Sequence, residues 1–196
     1  MSIRYSTEKE LSELRKKAYT FLDEKRIAHV DGCEKEAVSL AERYGADVKQ
    51  AATAAILHDI TKKLDLANQL ILCERYGIIC DVFEKNNASL LHAKTGAWKA
   101  RELFDIEQPV FDAIWWHTTG RADMVLLEKI LYLADYIEPT RYFEGIGQLR
   151  EKAYEALDPA LALGLKMSIE DIRSRGYVLH PVTEEAYEFY KEKEHA

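Results

Sequence analysis

The stretch 47–63, DVKQAATAAILHDITKK, decides the fold. Asp47 is placed to cap a helix running from Val48 to about His58. The apolar run AATAAIL fills that helix and gives out at the pair His58-Asp59. Adjacent side chains on a regular helix diverge by about 100°, because its period is 3.6 residues. Two neighbours therefore point at one place most easily at a helix end, where one of them can swing inward. This pair lies at such an end.

Outward from there the hydrophobic period is helical nearly everywhere. Upstream, Thr7 and Glu10 form a plausible capping box, and Leu11, Leu14, Ala18, Phe21 and Leu22 trace one stripe. A second helix carries Val30, Cys33, Ala37, Leu40, Ala41 and Tyr44, is started by His29, and stops at Gly45. Downstream, a helix from about Asp65 to Tyr76 stops at Gly77, and another spans Ala88 to Phe104. Pro109 suits the first position of a sixth helix, ending near Gly120. Asp123 is read as the cap of a seventh, which ends at Asp135 with Pro139 barring its continuation. Two or three more follow, one opening at Asp158-Pro159 and ending at Gly176, the last opened by Thr183. Tyr177 to Leu179 is the best stretch for extended chain, and it is short. The expectation is an all-α chain folded as one compact domain.

Composition agrees. A chain of 196 residues with 47% hydrophobic and 31% charged residues has the material for a sizeable core. The net charge of −7 makes duplex nucleic acid and anionic membrane poor partners. A small anionic substrate stays open, given local cations or a metal ion. The N-terminus is polar, no run approaches the length of a spanning helix, and the three cysteines form no CxxC pair. These features read as a cytoplasmic protein with reduced thiols.

The histidines carry the chemistry. His195 falls in a polar C-terminal end and reads as solvated. One HD pair is weak evidence of a metal site, but this one has company. His29 stands on a helix whose apolar face must be buried. Asp135 ends the apolar helix LLEKILYLAD, where the dipole favours cations and an unpartnered buried carboxylate is costly. A bound cation removes both objections. Two imidazoles with two carboxylates suit iron, manganese or zinc better than magnesium. Cys33, one turn after His29, reads better as a small buried hydrophobe than as a further ligand. His92 and His117 admit several roles: phosphate contact, general acid, or ligand of a second metal bridged by Asp59. Arg26, Lys62, Lys63, Arg121 and Arg141 stand beside these elements and suggest a polyphosphate pocket.

The order His29, His58-Asp59, Asp135 on helices resembles the HD superfamily of metal-dependent phosphohydrolases. The strings RIAH, LHDITKKL, LLHAKTGAW, WWHTTGR, YLADYIEPTR and GYVLHPVTEEAYEFY resemble the YqeK family more closely, across residues 26–190. The resemblance implies a single HD domain over 1–196, with a metal-binding core at about 26–141 and C-terminal helices at 145–195 packed on it. It implies symmetric hydrolysis of diadenosine tetraphosphate to two ADP with an iron-type metal. It implies His29, His58, Asp59 and Asp135 as metal ligands. Arg26, Lys62, His92, His117 and Arg141 correspond to nucleotide contacts, and Val178, Leu179, His180, Pro181, Val182 and Thr183 border the nucleotide. HD hydrolases of guanosine tetraphosphate resemble HDxxED after the pair; here HDITKK puts lysines there instead, which suits a longer phosphate chain.

The expected reaction is attack by hydroxide formed on the metal, with Arg and Lys neutralising charge and His92 or His117 protonating the leaving ADP. The alternatives are another nucleotide phosphohydrolase, such as a 5′-nucleotidase or triphosphatase, and a helical module that senses a nucleotide without cleaving it. Trp98, Trp115 and Trp116 suit either a core or a homodimer face.

Overall fold

The computed structural model describes residues 7–193. His195 lies outside them. Ten α-helices and no strand occur among the described residues: α1 Glu8–Ala18, α2 Glu24–Tyr44, α3 Val48–Leu57, α4 Leu66–Tyr76, α5 Ala88–Phe104, α6 Gln108–Trp116, α7 Leu126–Ile137, α8 Ile146–Glu155, α9 Leu157–Ser174 and α10 Pro181–Lys191. None is long and apolar enough to cross a membrane.

The centre of the domain is α3. Asp47 caps it by accepting the N–H groups of Lys49 and Gln50. Every residue from Ala51 to Leu57 is buried, because α1, α2, α5, α6 and α7 all pack on this one helix. A helix that is apolar all round has no face for water. Its alanines let neighbouring backbones approach closely. The chain therefore delivers His58-Asp59 from the end of α3 into the middle of the protein.

Most helix ends follow local chemistry. Thr7 and Glu10 form the capping box of α1. Gly45 and Gly77 close α2 and α4 in the left-handed conformation that glycine adopts without strain. Other ends differ from expectation. Helix α2 begins at Glu24, capped by Asp23, so His29 sits in its second turn. Helix α6 ends at Trp116, where His117 turns both its ring and its main-chain N–H onto the Ile114 carbonyl. Asp123 does not cap α7: it has φ 51°, and Glu128 accepts the N–H of Val125 at the true start. The helix runs two residues past Asp135, to Ile137. Helix α10 starts at Pro181, with His180 rather than Thr183 as its cap. Residues 177–180 form no strand.

Trp98 and Trp115 pack partly buried against the core, with Trp98 edge-on to Phe111. Cys33 and Cys73 are buried free thiols, and Cys80 is half-buried.

Candidate metal centre

Five elements converge on one point. His29 comes from α2, His58 and Asp59 from the end of α3, His92 from α5, His117 from the end of α6, and Asp135 from the last turns of α7. All but Asp135 are buried, and Asp135 is half-buried.

The histidines are held in one manner. The Nδ1 of His58 faces the carbonyl of Ala55 at 2.7 Å, that of His92 faces Ser89 at 2.7 Å, and that of His117 faces Ile114 at 2.7 Å. A carbonyl only accepts, so each Nδ1 carries a proton, and Nε2 is the nitrogen left to take a second proton or a metal ion. At the end of α3 the same bond serves one of the carbonyls that a helix end leaves unpaired, and at the end of α6 it joins the His117 main-chain N–H on the Ile114 carbonyl. His29 is held differently, with its Nδ1 3.0 Å from Oε1 of the fully buried Glu138. A carboxylate behind an imidazole fixes its tautomer and raises its basicity.

The free nitrogens then face one another. His29 Nε2 is 3.3 Å from His58 Nε2, 3.0 Å from Asp135 Oδ1 and 3.7 Å from Asp59 Oδ2. His92 Nε2 is 3.0 Å from His117 Nε2 and 3.1 Å from Asp59 Oδ1. Nitrogens at such distances repel unless a proton or a metal ion lies between them. Asp59 stands in the middle, with Oδ2 toward His29 and His58 and Oδ1 toward His92 and His117.

Electrostatics follows from the packing. Burial opposes charge on Asp59, yet the imidazoles of His58 and His92 hold its carboxyl well below the usual range. Asp135 is likewise held low against its burial, by His29 and by Arg141. Burial, with Lys62 beside it, lowers His92; burial, with the neighbouring His92 and His58, pushes His117 down to about 3. Both rings are neutral near pH 7. Cys33 is fully buried, its thiol pushed up by burial, and it is not among the clustered ligand atoms.

The cations divide. Arg26 Nη1 donates to Asp59 Oδ2 at 2.9 Å, and Arg141 Nη2 donates to Asp135 Oδ1 at 2.8 Å. Lys62 Nζ lies 3.3 Å from His92 Nε2, and burial lowers its pKa. All three line a cavity of about 130 Å³ over the cluster, together with Thr118, Tyr136 and Ser168. Arg121 is elsewhere, paired with Glu128 at 2.9 Å. Lys63 is exposed at the edge. Residues 178–183 are not brought to this cavity; His180 pairs with Asp81 at 2.9 Å and caps α10.

Some supporting residues carried no signal in the sequence pattern. Glu138 accepts the Thr140 N–H at 2.6 Å, and a Cβ on Gly32 would stand 2.5 Å from its Oε2. Gly32 thus makes the room in which Glu138 reaches His29. Thr61 donates to the His92 carbonyl at 2.9 Å, and Gln69 donates to the Thr61 carbonyl at 2.8 Å. This buried network ties the turn after His58 to α5.

The HD domain family model matches residues 26–140. A Bacillus subtilis protein named bis(5′-nucleosyl)-tetraphosphatase, symmetrical, is 37% identical over 83% of this chain and 87% of its own length. A Halalkalibacterium halodurans protein of the same name is 39% identical over 85% of this chain and 89% of its own. A crystal structure from Clostridium acetobutylicum, described as a predicted HD superfamily hydrolase involved in NAD metabolism, superposes with a TM-score of 0.89 at 36% identity. It covers 93% of this chain and 97% of that one. The chain belongs to the HD domain family, in the branch with these symmetrical tetraphosphatases.

Proposed function

We propose that this protein is a hydrolase that cuts dinucleoside tetraphosphates symmetrically, diadenosine tetraphosphate giving two ADP, with the help of a divalent transition-metal ion. The observation that carries the metal is the convergence of imidazole nitrogens, His29 to His58 at 3.3 Å and His92 to His117 at 3.0 Å, with carboxylate oxygens among them. The names of the bacterial relatives support the substrate. In this reading His29, His58, Asp59 and Asp135 hold the ion, within the core at about 26–141. The mixed nitrogen and oxygen set suits iron, with manganese or zinc as substitutes. The ion's contribution is to lower the pKa of bound water toward roughly 7 and to polarise a phosphoryl oxygen.

The remaining work falls to the chain. Glu138 keeps the His29 tautomer. Arg26 and Arg141, already on the two carboxylates, carry further N–H groups with which to take phosphate oxygens. Lys62 places a positive charge over the cavity, where charge spreads as the phosphate bridge breaks. Its burial makes that charge more effective than at a surface. His92 and His117 keep neutral rings whose free nitrogens point at the reaction centre, which fits lone-pair donors better than proton donors. The Thr118 hydroxyl, 3.4 and 3.3 Å from those two nitrogens, can take or give a hydrogen bond beside them. The cytoplasm, with reduced thiols, suits such a site.

Product analysis tests the reading. Purified protein given diadenosine tetraphosphate is expected to yield ADP alone. ATP with AMP, or no turnover with iron or manganese supplied, would count against it.

A further inference from the structure

The central cavity adjoins another hollow on each side, and the two hollows are unlike. On one side it shares Tyr136 and Arg141 with a cavity of about 670 Å³. Tyr142 and Phe143 give that cavity aromatic surface, Met167 a soft apolar wall, and Asp171 a carboxylate able to accept from hydroxyls. On the other side it shares Arg26 and Lys62 with a hollow of about 80 Å³, whose remaining walls are Leu22, Asp23 and Lys63.

Small-molecule pockets run from about 300 to 1,000 Å³. The larger hollow falls inside that range and the smaller far below it. A purine needs a flat apolar surface, which aromatic rings supply. The larger hollow has such rings, and the described walls of the smaller one have none. The smaller hollow instead gathers three cations, Arg26, Lys62 and Lys63, against one carboxylate, Asp23. That arrangement serves phosphate oxygens and gives a base nothing to lie on.

We propose that the protein recognises the nucleoside at one end of its substrate only, and holds the other half through phosphates alone. This rests on the phosphohydrolase reading above and extends its substrate class. Nucleoside 5′-tetraphosphates, free or esterified at the far phosphate, are then substrates alongside dinucleoside tetraphosphates. The held nucleoside sets the register, so the cut falls at the central bridge whatever the far end carries. One water is consumed: its oxygen bonds to a phosphorus of the central P–O–P link, and the bridging oxygen leaves with its electron pair on the other diphosphate. The water's protons pass to the products or to solvent. Adenosine 5′-tetraphosphate gives ADP and pyrophosphate; its terminal methyl ester gives ADP and methyl diphosphate.

The test uses the full metal-loaded chain with diadenosine tetraphosphate, adenosine 5′-tetraphosphate and that methyl ester, with products separated by chromatography. ADP binding is measured by calorimetry on the same protein. The expected kcat/KM values for the three compounds agree within about tenfold, and one ADP binds per chain. Tyr142→Ala is expected to weaken ADP binding about tenfold or more, as loss of a stacking ring does. Lys63→Glu is expected to raise KM for all three compounds by a similar factor. Turnover of diadenosine tetraphosphate with the other two slower by about a hundredfold or more would overturn the proposal and leave the phosphohydrolase reading standing. So would two ADP bound per chain with like affinity. Turnover of none of the three would remove that reading, and the proposal with it.

Discussion

The Nε2 atoms of His92 and His117 stand 3.0 Å apart, while both Nδ1 atoms already face main-chain carbonyls at 2.7 Å. Two neutral imidazoles so tethered cannot hydrogen bond to each other. They can share only a donated proton or a cation, and Asp59 Oδ1 lies 3.1 Å from one of them. The carboxylate at the centre is therefore the residue on which the site depends most.

Asp59→Asn keeps the shape and removes the charge. It is expected to reduce metal affinity and kcat by more than the roughly 10–100-fold typical of a residue that merely supports a ligand. Metal content by mass spectrometry, with circular dichroism as a check on folding, reads the effect. Unchanged metal content and activity would remove Asp59 from the centre.

Glu138→Gln tests the support behind His29. The amide can still hydrogen bond but no longer carries the charge that raises the ring's basicity. Metal affinity is expected to fall about 10–100-fold with the helices intact. Gly32→Ala reaches the same carboxylate from the other side, since its Cβ would stand 2.5 Å from Oε2. Crowding there is expected to lower stability by about 1–3 kcal/mol and metal affinity with it. Competition with a chromogenic chelator measures the affinity and urea unfolding the stability.

Much of this site was legible in the sequence, and the reasons are physical. His58-Asp59 ends an apolar run, and Asp47, Gly45 and Gly77 punctuate helices through local chemistry. Local rules found α3, α4 and α5 nearly to the residue. They misplaced the start of α7, because Asp123 suits a cap by type but lies in the left-handed region while Glu128 takes the N–H that matters. Helix α8 was not located: it opens at Gly145 with no side-chain cap. Glu138 lies 109 positions from His29, and Gln69 and Thr61 contact α5 only in the folded chain. Such buried polar partners have no periodicity to betray them. Arg121 looked like the other cations because charge type alone does not say which carboxylate it will find.

His117 makes its own contribution to the pH dependence of the metal-free protein. Its folded pKa, about 3, lies below the ordinary imidazole value of 6.5. Between those values the unfolded chain binds the proton and the folded one does not, so stability from this group falls as pH drops from 6.5 toward 3. His117→Gln removes the group from both states. Urea midpoints at pH 7 and pH 5 are expected to differ more for the metal-free wild type than for the variant. An equal difference in the two proteins would contradict the assignment.

Capping at the start of α2 separates helix stability from metal binding. Asp23 accepts the Arg26 N–H at 2.9 Å at the start of α2. Asp23→Ala is expected to lower stability by about 1 kcal/mol. His29 lies a turn and a half further along the helix, so metal content should hold. A loss of metal larger than the loss of stability would mean that the start of α2 shapes the site directly.

The most direct test strips the protein with a chelator and restores it with ferrous or manganous ion, following diadenosine tetraphosphate throughout. The account predicts that stripped protein is inactive, that activity returns as the ion binds, and that ADP is the only product once it does. Full turnover by protein shown by mass spectrometry to hold no transition metal would contradict it.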